Sequence, residues 1–209
     1  MSFLNGRVDN YQDQIKFKLV TDVVAEPVTL ADLKAHLRID MTDDDAVVAG
    51  MGVAARRLVE EYTGRRLMPR TEQLLLDSFP PCRQIMIPAA PVSAIGPLTY
   101  YDDANNPTVY PSANYITDFS GPIGMLVLKY GMIWPILGSN RRPVNVATVD
   151  FSSGYASAAQ VPEPLTLAIK MLTGHFYENR EATSMLDVKE VPLGMRHLMD
   201  PYKVVERML

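Results

Sequence analysis

Thirteen of the chain's 16 prolines lie between residues 69 and 164: Pro69, Pro80, Pro81, Pro88, Pro91, Pro97, Pro107, Pro111, Pro122, Pro135, Pro143, Pro162 and Pro164. Each one fixes φ and removes a backbone donor, so no long helix survives there. Short strands between turns do survive, with prolines at strand ends and edges. The expected strands are "TEQLLLDSF" (71–79), "QIMIP" (84–88), "AIGPLTYYD" (94–102), "NYITD" (114–118), "MLVLKYG" (125–131) and "VNVATVDFSSGY" (144–155). "DDANNP" (102–107) and "FSGPIG" (119–124) read as turns joining antiparallel neighbours. Trp134, in "GMIWP", reads as a loop aromatic folded back over this lobe's core.

The flanks are helical. In "TLAD", Thr29 is placed to cap a helix, with Asp32 three residues on, and Leu30, Leu33 and Leu37 form a narrow apolar stripe. A second helix is expected after "MTDDDA", with Thr42 as cap and Asp43, Asp44 and Asp45 in its first turn. Val47, Met51, Ala54, Leu58 and Tyr62 recur at helical spacing, which predicts the buried face. Arg56–Glu60 and Arg57–Glu61 are then paired on the wet side, and Gly64 stops the helix. "VPEPLTLAIKMLTGHFYENRE" (161–181) opens with prolines tolerated in a first turn and carries Leu165, Ala168, Ile169, Leu172 and Phe176 on one face. A short helix is expected around 193–199.

The fold class expected is therefore α+β, a helical core with an inserted antiparallel β lobe. Its segments are an extended arm (1–26, with one possible strand at 15–20), core helices (27–68 and 161–203), the lobe (69–160) and a tail (204–209). The 209 residues are enough for a full core. No apolar run approaches the roughly 18 residues of a membrane helix, and the first 20 residues do not read as a secretory signal. Cys82 is the single cysteine, which excludes an intramolecular disulfide and a cysteine-based zinc cluster. A net charge of −4 speaks against a protein that wraps DNA by neutralising phosphates.

Catalytic constellations do not assemble. Three adjacent carboxylates on a helix point about 100° apart and do not converge on one ion. His36, His175 and His197 lie in separate helical segments with no metalloprotease spacing, and no serine elbow or phosphate-cradling loop is present. The densest polar stretch is "HFYENRE" (175–181). It reads as structural: Phe176 buried, with His175, Tyr177, Asn179 and Arg180 bracing the helix end against a neighbouring segment or subunit, since Tyr and Arg dominate interface hot spots. Two other readings stand beside it, a monomeric hydrolase using His175 with a carboxylate and a generic protein-binding module.

"PVTLADLKAHLRID" (27–40), "DDDAVVAGMGVAARRLVEEYTGRRL" (43–67), "GMIWP" (131–135), "VDFSSGY" (149–155), "VPEPLTLAIKMLTGHFYENRE" (161–181) and "VPLGMRHLMDPYK" (191–203) occur in this order. Together they resemble the head–tail connector (adaptor) proteins of long-tailed bacteriophages and gene transfer particles, over about residues 18–203. The resemblance implies a structural virion protein of the neck, assembled in the bacterial host cytoplasm, without catalysis, cofactor or metal. It implies a ring, commonly twelve-fold, between the portal protein and a stopper or tail-completion protein, with double-stranded DNA passing through the lumen. No membrane is involved. The C-terminal segment of such proteins docks on the portal, which adds Tyr202, Lys203 and Arg207 to the interface residues expected.

Overall fold

A computed structural model describes residues 15–121, 123–138, 140–179 and 193–204. The chain divides into a strand-rich unit, drawn from residues up to 22, 70–87 and 92–153, and a helical unit of 23–69, 88–91 and 154 onward.

The strand-rich unit has two sheets. Its strands are β1 (Ile15–Thr21), β2 (Arg70–Leu76), β3 (Gln84–Ile87), β4 (Val92–Tyr101), β5 (Pro107–Val109), β6 (Tyr115–Asp118), β7 (Gly124–Leu128) and β8 (Ala147–Ser153). One sheet has the order β1-β2-β8-β4-β5 and the other β3-β7-β6, every neighbour antiparallel. The turns at 102–106 and 119–123 join β4 to β5 and β6 to β7, as their Asp, Asn and Gly content predicts. In both, an aspartate accepts backbone N–H groups two residues on: Asp102 from Ala104 and Asp118 from Ser120. β2 and β8 alternate strictly, burying Glu72, Leu74 and Leu76 and Ala147, Val149, Phe151 and Ser153. The sequence gives no hint of β5, because it opens on Pro107 and is only three residues long. The segment read as an extended arm supplies β1, the edge strand beside β2. Trp134 is buried as expected, stacked on Phe79 at 5.7 Å with its indole N–H donated to the Cys82 carbonyl at 2.8 Å.

The helical unit contains α1 (Leu30–Leu37), α2 (Asp45–Thr63), α3 (Glu163–Glu178) and α4 (Leu193–Met199). Thr29 caps α1, accepting the Asp32 N–H at 3.1 Å while giving its hydroxyl to the Asp32 carboxylate at 2.7 Å. Leu33 is buried between half-buried Leu30 and Leu37. Gly64 stops α2 at φ +69, a conformation glycine adopts without steric cost. On α3, Leu165, Ala168, Ile169 and Leu172 are fully buried as the spacing predicts, but Phe176 is only half-buried against that core.

Two expectations for α2 fail. Its buried face is Val48, Gly52, Ala55, Arg56, Val59, Glu60 and Thr63, one residue out of phase with the stripe of large aliphatics. Val47 and Ala54 face solvent, while Met51, Leu58 and Tyr62 sit at the margin. Close approach causes the shift. Leu33 Cδ1 lies 2.6 Å from where a Cβ on Gly52 would stand, so α1 packs where a bulky stripe would clash. Arg56 and Glu60 are consequently not on the wet side but 2% and 4% exposed. Nor does Thr42 cap the helix by its side chain. Asp44 occupies the N-cap position, and the Thr42 carbonyl takes the Asp45 N–H.

Candidate functional site

α3 ends in the sequence that drew attention. Tyr177 lies half-buried and donates its hydroxyl to Asp44 Oδ2 at 2.6 Å, tying the end of α3 to the start of α2. The residue before α2 is thus held by a cross-tie as well as placed near the positive end of the helix dipole. Next to it, Asp45 takes the Lys34 ammonium at 2.6 Å and ties α2 to α1. The acid triplet therefore binds two cations or donors from the same unit. Among the described residues no group of three or more His, Cys, Asp or Glu can hold a metal ion.

Asn179 is the C-terminal cap of α3. Its backbone N–H and its side-chain amide both reach the His175 carbonyl, at 3.1 and 2.9 Å. That satisfies a carbonyl which a helix end leaves without an intrahelical donor. The same amide stands 3.3 Å from His175 Nδ1. A carboxamide orients a histidine but does not accept its charge, so the hydrolase reading lacks the acid partner it needs. Arg180 and Arg207 lie outside the described residues.

The C-terminal segment forms a second cluster, at the end of α2. Asp200 accepts the Tyr62 hydroxyl at 2.6 Å, and this carboxylate holds the Tyr62 phenol above its ordinary 10.0. The Lys203 ammonium sits 4.9 Å over the Tyr62 ring. Arg65 donates Nε to the Tyr202 carbonyl at 2.6 Å and Nη1 to the Tyr155 hydroxyl at 3.2 Å. Val204 N–H closes the run on the Thr63 carbonyl at 2.8 Å, one of the carbonyls left over at the end of α2. Residues 200–204 are thus strapped to their own unit, and the chain leaves the described structure from the end of α2.

Structure brings the expected interface residues into two groups: His175, Tyr177 and Asn179 at the end of α3, and Tyr202 and Lys203 at the end of α2. Their partners Asp44, Tyr62, Arg65 and Asp200 escape the sequence reading. A run such as Gly64-Arg65-Arg66 behind a helix stop marks donors available for a passing carbonyl, but nothing in it says which carbonyl arrives.

A third cluster was assigned to solvent and is buried instead. Arg56 is bidentate on Glu26, at 2.6 and 3.2 Å, and reaches Glu60 at 3.0 Å. Glu60 accepts the Leu67 N–H through its other oxygen at 2.8 Å. One guanidinium thereby fixes the chain before α1, α2 itself and the turn after α2.

Residues 27–100 match the family described as "Phage gp6-like head-tail connector protein". Over that stretch the chain is a head-tail connector. The matched stretch contains α1, α2, the Arg56 cluster's α2 members and the first strands of the lobe. Among solved structures, the connector is similar to a chain in the "Neck of empty GTA particle computed with C6 symmetry", at 24% identity and a TM-score of 0.76. That alignment covers 93% of this chain and 97% of that one. A chain in the "Virion of native gene transfer agent (GTA) particle" aligns at 23% identity and a TM-score of 0.74, covering 92% and 97%. One in the "Neck of native GTA particle computed with C12 symmetry" aligns at 23% and 0.71, covering 93% and 97%. At these identities the likeness is one of fold, and it spans strands and helices alike. No curated protein sequence matches the chain.

Proposed function

We propose that this chain is a structural adaptor of a virion neck, with no catalytic role. Copies close into a ring, twelve in number, between a portal protein and a stopper or tail-completion protein, and double-stranded DNA passes through the lumen. The observation that carries the reading is the fold shared across 93% of the chain with a neck subunit of a gene transfer particle. The connector-family match over 27–100 supports it from sequence alone. A net charge of −4 suits a wall past which a polyanion must slide without being held.

The helix-end groups give this function a physical form. Tyr177, Asn179 and Tyr202 spend polar atoms on the chain's own bracing. They hold His175 and Lys203 in fixed positions and present them, with Arg180 and Arg207, to the portal or a neighbouring subunit. A pre-ordered surface loses less conformational entropy on assembly.

The test is assembly of the purified chain on isolated portal rings, counted by electron microscopy. Rings of regular subunit number stacked on the portal are expected from the wild-type chain. A well-folded chain that never decorates a portal would overturn the adaptor reading. Arg180→Ala should lower ring yield while leaving the circular dichroism unchanged, because Arg pairs bidentately with carboxylates across desolvated contacts.

A further inference from the structure

The strand-rich unit leaves two apolar surfaces uncovered. The first is the loop after β7, where Tyr130 is 93% exposed, Ile133 65% and Ile136 86%, with Met132 beside them. This is no slack segment. Trp134 is locked on Phe79 and the Cys82 carbonyl, and the Ile133 carbonyl accepts the Tyr110 hydroxyl at 2.7 Å. Side chains on either side of a buried anchor are thus held outward in one arrangement. Together they expose an area on the order of a few hundred Å², as large as the patches that mark contact sites on soluble proteins.

The second surface is β1. Register places Ile15, Phe17 and Leu19 opposite Leu76, Leu74 and Glu72, all three of them buried. These β1 side chains therefore lie on the core face of the sheet, where Phe17 touches the buried Phe151 edge-on. Yet Phe17 is 39% and Leu19 48% exposed, because the core face runs out past its cover at this edge.

The two surfaces belong to different ends of one sheet. Tyr110, which holds the loop, directly follows β5, and β5 and β1 are the opposite edges of the five-stranded order. Four strand spacings separate these edges, roughly 19 Å. Phe79 also stacks on Tyr100, which pairs with Ala147 at the sheet end near Leu76, whereas Leu19 stands opposite Glu72 toward the other end. One chain cannot bring them together. A second copy, turned by a fixed rotation, brings one chain's loop to the next chain's β1, and repetition of that contact closes a ring.

We propose that Tyr130, Ile133 and Ile136 of one copy pack on the overhanging face of β1, at Phe17 and Leu19, of the adjacent copy in the ring. The inference rests on the ring reading above and names the contact that builds it.

Two experiments on the full-length chain test it, both on isolated portal rings. Ile133→Asp with Ile136→Asp should leave the melting temperature unchanged, since both side chains are exposed, and raise the chain concentration needed for rings at least tenfold. In a Cys82→Ser background, Leu19→Cys combined with Ile136→Cys should give, on oxidation, a ladder of covalent multimers, while either cysteine alone gives none. Rings of the aspartate variant at wild-type concentration would overturn this contact and leave the adaptor reading standing. A ladder from Ile136→Cys alone would overturn it too, in favour of a self-to-self contact. So would a disulfide that forms within one chain. Failure of the wild-type chain to form rings at all removes both readings.

Discussion

Arg56→Ala is the substitution whose cost the structure bounds most tightly. It removes a guanidinium that is 2% exposed and three hydrogen bonds, two to Glu26 and one to Glu60. The two carboxylates then fare differently. Glu26 is a third exposed and rehydrates, so its loss of partner is mild. Glu60 is 5% exposed and keeps the Leu67 N–H, but its charge loses the guanidinium inside the unit. Stranding a buried charge costs about 3–5 kcal/mol, against about 1–2 kcal/mol for removing the exposed-side partner by Glu26→Ala. If Glu60 carries the difference, Arg56→Ala made in a Glu60→Gln background should cost less than in wild type by about 1–3 kcal/mol. Urea unfolding followed by far-ultraviolet circular dichroism reads all four variants. A loss below about 1 kcal/mol for Arg56→Ala, or equal losses for Arg56→Ala and Glu26→Ala, would refute the argument.

Ile169→Ala, at a fully buried site, should cost about 2–5 kcal/mol in the same assay, and Phe176→Ala clearly less because the ring is only half-buried. Thr29→Ala should cost about 1 kcal/mol by uncapping α1; no loss would mean the helix start is held by packing alone. Asp77 is kept below its usual 3.8 by the Asn145 N–H and the Lys16 ammonium. Folded Asp77 therefore binds fewer protons than unfolded Asp77, so its stabilisation is whole above the unfolded value and is lost as pH falls through the lower folded one. Melting temperatures below about pH 4 should then fall less steeply for Asp77→Asn than for wild type, and parallel acid limbs would remove Asp77 from the acid response.

Much of this was legible because single residues carry local instructions. Thr29, Gly64 and the prolines at 162 and 164 act within one turn of themselves, and strict alternation in β2 and β8 needs only a neighbour on each side. What was not legible depends on a partner far along the chain. Counting large aliphatics put the face of α2 on Val47 and Leu58, whereas the face is set by α1 arriving at Gly52, which only small residues admit. Arg56 and Glu60 look like a surface pair until Glu26 and the Leu67 amide are brought to them. At the site, Tyr177 and Asn179 were found by composition, but Asp44, Arg65 and Asp200 have no signature apart from the partners they meet. β5 was lost to its own proline.

The path of the chain also bears on how such a gene is inherited. The strand-rich unit is not one continuous stretch of coding sequence. β1 comes from upstream of α1, and residues 88–91 leave the unit midway, where the Ala90 carbonyl takes the Arg66 N–H of the helical unit. A recombination event that exchanged only residues 70–153 would leave the old β1 beside a foreign β2 and replace the segment that carries Ala90. An exchange that kept every strand with its partner would have to span residues 15–153 and take α1 and α2 with it. The two units therefore vary as a pair, and a drifting β1 must be matched by a drifting β2 about fifty codons downstream.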